Sequence, residues 1–224
     1  PVATFLLVKD VKLDTREESK IEENNKEIKQ WKRIEVLKDY RFYIICMTML
    51  AMPWIATGSF VYQSFISSSK EWGPYVIAQS FMAYSILSVI TLFISGFLID
   101  KFSSRKLLIY MNIPLLFGTV VLYYFNAPLS SFVFFGLVGV TNGLANVLGS
   151  STWAEIYGVK YIGSIKALTT ALMVFSTAFG TALFGFLIDI GFSIEDIAVV
   201  SGTYIFGSII LLYLVKNKLN PHYL

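Results

Sequence analysis

Asn142, Asn146 and Ser150 recur at i, i+4 and i+8 within an apolar run, which places two amides and a hydroxyl on one face of a helix. An amide without a partner in hydrocarbon is costly, so such a face must meet water or other protein. Neutral groups of this kind hold a solute by hydrogen bonds. Tyr62 and Gln63 add a phenol and an amide to the first apolar run, with Ser59 a turn earlier. Ser80, Tyr84 and Ser88 share a face of the second, beside Gln79, and Thr170, Thr177 and Thr181 line one side of the fifth, near Ser176 and Gly180. Each set has a rival reading. Small and hydroxyl residues are normal where membrane helices touch, and Gly139-Val140-Thr141-Asn142-Gly143 has the Gly-x-x-x-Gly spacing of a close contact.

Catalytic and metal chemistry find little support. The chain has one cysteine, Cys46, and one histidine, His222, so neither a disulfide framework nor a Cys/His metal cluster can be assembled. No Asp, Glu, Lys, Arg or His lies in the middle of an apolar run, where an ionisable group would mark a proton relay or a charged-ligand site. A membrane-embedded enzyme would need a nucleophile–base pair or a metal site; neither is expected, nor is a cofactor. No Gly-x-x-x-x-Gly-Lys-Ser/Thr loop for ATP occurs.

The elements that carry these residues follow from composition. Of 224 residues 55% are apolar and only 15% charged, against about 25% charged in soluble domains, and mean hydropathy is +0.64. Residues 1–41 hold ten of the eighteen Lys/Arg and nine of the fifteen Asp/Glu. The rest reads as six apolar runs near 42–66, 75–99, 105–125, 130–150, 166–188 and 194–215, each long enough for a helix to cross a bilayer. They are longer than barrel strands and do not alternate in polarity. Residues 1–8 (Pro1 to Val8) are too short to cross and are expected to end a helix that begins upstream. Residues 9–41 form a polar connection with an amphipathic helix at Trp31–Leu37, where Trp31, Ile34 and Leu37 are expected at the membrane interface. The six-helix domain spans 42–218 and a tail 219–224.

Basic residues give the orientation. Alternate connections hold seventeen of the eighteen Lys/Arg, and the others hold Lys70 alone. The excess of Lys/Arg on cytoplasmic loops then puts both ends of the chain in the cytoplasm.

Gly96-Phe97-Leu98-Ile99-Asp100 recurs as Gly185-Phe186-Leu187-Ile188-Asp189. One copy ends the second run and the other the fifth, as expected if runs one to three and four to six are inverted copies. The stretch Gly96 to Lys106, with Asp100-Lys101 and Arg105-Lys106, resembles the loop signature of the major facilitator superfamily, although Ser103 stands where that family usually has Gly. Trp153-Ala154-Glu155-Ile156-Tyr157-Gly158 and Tyr161 to Lys166 are similar to the loop before the eleventh helix of bacterial monocarboxylate and oxalate/formate carrier-like members.

The resemblance implies an all-α membrane protein: a six-transmembrane-helix bundle, half of a twelve-helix fold with inverted three-helix repeats, its helices numbered seven to twelve. It implies alternating-access transport of a small solute, with a small organic anion as substrate class, in a bacterial-type plasma membrane. Expected partners are that solute, membrane lipids and an amino-terminal six-helix half; no nucleic acid is expected. Tyr62, Gln63, Tyr84, Asn142 and Asn146 are the expected substrate contacts, although Tyr62-Gln63 stands where some relatives have a His-Gln pair. Gly96, Asp100, Lys101, Arg105 and Lys106 are the expected gating motif: Asp100 could accept from free amides of a neighbouring helix, while Arg105 and Lys106 could hold headgroups or a facing carboxylate. A receptor or assembly subunit that kept the fold is the alternative. If Asn146 contacts solute, Asn146→Leu in the full-length protein lowers uptake into vesicles while membrane insertion is unchanged; unaltered uptake removes Asn146 from the site.

Overall fold

The computed structural model describes residues 29–73 and 75–221. The apolar start at 1–8, the polar stretch 9–28 and His222 lie outside the described residues. A short helix α1 (Arg33–Leu37) leads into α2 (Tyr40–Val61), α3 (Gln63–Ser69), α4 (Val76–Phe102), α5 (Ser104–Leu107), α6 (Ile113–Tyr124), α7 (Pro128–Tyr157), α8 (Ile162–Asp189) and α9 (Ile194–Val215). Among the described residues, six stretches are long and apolar enough to cross a membrane: α2, α4, Ser104–Tyr124, α7, α8 and Ile194–Lys218. We refer to them as the first to sixth spans.

Their limits differ from those expected because helices do not stop where hydrocarbon does. The first span breaks at Tyr62, where α3 begins. The third is interrupted at Leu108–Tyr110 by a 3-10 turn, and Pro114 opens α6, a position where its missing N–H costs nothing. The fourth runs on through Glu155 to Gly158, whose φ of 83° ends it. Its 30 residues extend about 45 Å, the thickness of a bilayer with its headgroups.

The five most extensive packing pairs are second with fourth, first with fifth, third with fourth, third with sixth, and sixth with first. Exchanging spans one to three with four to six maps this set onto itself. The repeated pentapeptides occupy the last turns of α4 and α8, so the inverted-repeat expectation agrees with the packing. Small residues allow the close contacts at equivalent seams. A side chain at Gly139 would strike the Tyr84 carbonyl, one at Gly143 would lie 2.6 Å from the Ser88 oxygen, and one at Gly180 would strike the Trp54 backbone.

Side-chain hydrogen bonds join the spans where the first carries Pro53. The Thr48 carbonyl accepts from Asn112 Nδ2 at 2.6 Å, the Leu50 carbonyl from Ser176 Oγ at 3.0 Å and the Met47 carbonyl from the Tyr204 hydroxyl at 2.9 Å. The third, fifth and sixth spans are thereby tied to the first.

Polar ties also gather each set of alternate connections. At one end the buried Lys70 ammonium donates to Glu195 Oε1 at 2.6 Å and Asn126 Oδ1 at 2.8 Å, while Trp72 Nε1 donates to the Asn126 carbonyl. At the other, basic end the buried Arg41 guanidinium meets Asp39 at 2.7 Å and donates to the Lys218 and Asn220 carbonyls, and the Tyr157 hydroxyl donates to Asp39. The Trp31 amide donates to the Tyr157 carbonyl, and its ring packs edge-on to that of Tyr157 at 5.5 Å. The expected amphipathic helix is therefore Arg33–Leu37, docked through Trp31, Val36 and Leu37, with Ile34 left 66% exposed.

Gly180→Leu should force the first and fifth spans apart and cost about 1–3 kcal/mol, as overpacking does. Gly207→Ala, where nothing lies within 4 Å, is the control. Thermal unfolding followed by size-exclusion elution should show a lower midpoint for the first variant only.

Candidate functional site

The first, fourth and fifth spans enclose a crevice beside Pro53. Cys46, Met49, Leu50, Met52 and Pro53 form one wall; Asn142, Ala145, Asn146, Gly149 and Trp153 form another; Thr169, Leu172 and Met173 close it. Its volume is about 60 Å³. That suffices for water, while small-molecule sites occupy about 300–1,000 Å³.

The polar groups on this wall differ in freedom. Asn142 Nδ2 donates to Ser88 Oγ at 2.8 Å, so this amide is half committed to the seam between the second and fourth spans. Asn146 is exposed, lines the crevice, and its Nδ2 donates to the Asn142 carbonyl at 2.8 Å. Pro53 has no N–H, so it cannot serve the carbonyl of Met49 four residues earlier, and both residues line the crevice. The chemistry on offer is neutral: amide, hydroxyl, carbonyl, thioether and the Trp153 ring.

The other expected contacts lie apart from this wall. Tyr62 stacks on Phe184 with ring centroids 6.3 Å apart, its hydroxyl against Gly185. Gln63 starts α3 and lines a shallow cavity of about 340 Å³ with Ser67 and Ile77. Tyr84 packs edge-on to Phe60 at 5.2 Å, with its backbone against Gly139. Ser80 and Ser131 share a 2.8 Å hydrogen bond. For Ser80, Ser88 and Ser176 the helix-packing reading matches these partners.

The loop motif forms a compact arrangement at the basic end. Glu155 Oε2 accepts from the Ser104 amide at 2.9 Å, the Ser104 hydroxyl at 2.5 Å and the Arg105 amide at 3.3 Å, and its Oε1 pairs with Arg105 Nε at 2.9 Å. The carboxylate that meets free helix amides inside this bundle is thus Glu155. Asp100 is exposed and has no partner among the described residues, and Lys101 rests over the Phe102 ring. Gly96 faces open space. Arg105 also donates to Asn220 Oδ1 at 2.7 Å, while Lys106 is exposed. Ser103, between the helices, has φ 71° and ψ 141°, a region that favours glycine.

Several residues here were not singled out from sequence: Glu155 as the motif's partner, Met49 and Pro53 as crevice wall, and Asn112, whose buried Oδ1 lacks a partner among the described residues. Pro53 inside an apolar run was the available signal for the wall. Glu155 lies about 50 residues from Arg105, and nothing local links them.

Six apolar helices in two interleaved triplets, with neutral hydrogen-bonding groups on an inner wall and charged groups confined to the ends, define a multi-pass membrane protein built as a transporter half. The chain belongs to the Major Facilitator Superfamily, whose family model matches residues 6–222, and it is a membrane transporter of that superfamily. No curated protein and no solved structure matched it.

Ser103→Gly should relieve the left-handed strain, raising stability by about 1 kcal/mol. The check is the thermal midpoint, with Ser104→Gly as the opposite case: it removes the hydroxyl bond to Glu155 and should lower it.

Proposed function

We propose that this chain supplies one wall of a secondary carrier that moves a small solute by alternating access, with a second six-helix unit facing it. The observation that supports this reading is Asn146: an exposed amide on a bilayer-spanning helix, beside a crevice too small to hold a metabolite alone. Lipid offers such an amide no partner, so water or protein must face it. The second and fifth spans, equivalent in the repeat, are the least buried of the six, which suits them to face a partner unit.

In this reading the wall binds by hydrogen bonds and apolar contact, and the charge that couples transport to an ion gradient lies outside it. The resemblance to monocarboxylate and oxalate/formate carrier-like members gives a small organic anion as the substrate class. The basic end faces the cytoplasm, following the loop charges. There the Glu155–Arg105–Ser104 cluster fixes the third span to the fourth, and Asp100, exposed at the end of α4, is free to meet a partner in one state and lose it in another.

The test uses single cysteines in a cysteine-free full-length protein. Asn146→Cys and Ser150→Cys should react with a membrane-impermeant thiol reagent, and a transported organic acid should slow the reaction. Phe93→Cys and Phe175→Cys report on the flanks that face a partner unit or lipid. An inert Asn146→Cys, from either side of the membrane, overturns the reading.

A further inference from the structure

Sulfur is concentrated on the crevice beside Pro53. The chain has one cysteine and six methionines, and four of these residues, Cys46, Met49, Met52 and Met173, line this one hollow. Methionine commonly fills gaps in apolar cores, but here the residues follow a pattern. Cys46, Met49 and Met52 are spaced by threes on α2, so each neighbours the next along one side of the helix. Long helical side chains lean toward the helix N-terminus, which carries the Met49 and Met52 thioethers toward Cys46. Met173 arrives from the fifth span. Ser176 donates to the Leu50 carbonyl, and a side chain at Gly180 would strike the Trp54 backbone, so the two spans run side by side in one direction. Met173, three residues before Ser176, is therefore level with the turn that joins Cys46 to Met49.

The chemistry of this wall specifies a ligand. Cys46 is 7% exposed and its thiol makes no hydrogen bond among the described residues. The volume of about 60 Å³ admits a particle the size of water, and the exposed Met173 stands at an open side. Thiolate and thioether sulfurs are soft donors that select monovalent copper. The Trp153 ring on the same wall adds an electron-rich face that attracts cations. Charge then decides the valence. None of the lining residues is charged, and uncompensated charge within a membrane span is costly. One thiolate cancels one monovalent ion, whereas a divalent ion would keep a net positive charge. Zinc also takes its four ligands from thiolates, imidazoles and carboxylates, and this wall offers a single thiolate.

We propose that this crevice binds one copper(I) ion through the Cys46 thiolate and the thioethers of Met49, Met52 and Met173. On coordination the thiol S–H bond breaks, a sulfur–copper bond forms, and the proton leaves to water at the open side. No oxidation state changes. A count of cysteine and histidine does not find this site, because thioethers do not enter it. The inference goes beyond the solute reading and does not rest on it: it concerns equilibrium binding to one wall, whatever crosses the membrane.

The measurement is competition for copper(I) between the purified full-length protein in detergent and the coloured copper(I)–bicinchoninate complex, under argon with ascorbate. Loss of colour reports the ion taken up. Wild type should hold one more copper(I) per chain than Cys46→Ser, a difference in which any site elsewhere in the full-length protein cancels. Met49→Leu, Met52→Leu and Met173→Leu conserve volume, and each should weaken the site about tenfold. Met173 is 43% exposed, so its variant reports on the site even where Cys46→Ser folds poorly. Met82→Leu/Met111→Leu, away from the crevice, should leave the affinity unchanged, and equimolar zinc(II) should not displace the ion. Three results overturn the proposal: equal uptake by wild type and Cys46→Ser, an equal loss in the Met82→Leu/Met111→Leu control, or displacement by zinc(II). The thiol-accessibility test is run without Cys46, so this site and the solute wall fail independently.

Discussion

Hydrocarbon offers the peptide group no hydrogen-bond partner, and the rest of this structure follows from that constraint. It makes each crossing a helix, and it makes any gap in a helix a place that other side chains must fill. Pro53 opens such a gap in the first span. The carbonyl it leaves unserved is that of Met49, and Asn112, Ser176 and Tyr204 reach in from three other spans to the neighbouring carbonyls of Thr48, Leu50 and Met47. A single residue without an N–H thus lies where the third, fifth and sixth spans converge on the first, and the crevice with Asn142 and Asn146 opens beside it.

Between helices, lipid supplies no hydrophobic drive, and contact depends on how closely backbones approach. Gly139, Gly143 and Gly180 set that approach at the two seams that the internal repeat makes equivalent. The second and fifth spans each spend one face on such a seam and leave the remainder uncovered. One sequence feature therefore accounts for both the tight core and the open flanks.

Charge is placed where water can reach it, and its task differs at the two ends. Lys70 is buried and shared between Glu195 and Asn126, which locks three connections together. At the basic end Asp39, Arg41 and Tyr157 bind the polar connection to the fourth span and to the carboxy-terminal residues. Glu155 holds the motif around Ser103, a non-glycine in a conformation that glycine favours. Arg105 is neutralised within the bundle by Glu155.

The amino-acid order alone determined the six apolar spans of the described residues, which connections group together and where the halves of the repeat meet. Span number follows from runs of uncharged residues against bilayer thickness, the grouping of connections from Lys/Arg in alternate loops, and the repeat from two identical pentapeptides. None of these needs contact between distant residues. Asn142 and Asn146 were legible as a stripe because a helix fixes the spacing of i and i+4. Which residues share a wall was decided only by tertiary structure. Tyr62 and Tyr84 carry the same chemistry as residues of a binding site, yet helix rotation turns them onto Phe184 and Phe60. Glu155 and Arg105 meet only because the third span packs against the fourth. Helix periodicity fixes a face within one span; the rotation of spans against one another depends on side chains meeting from far along the chain.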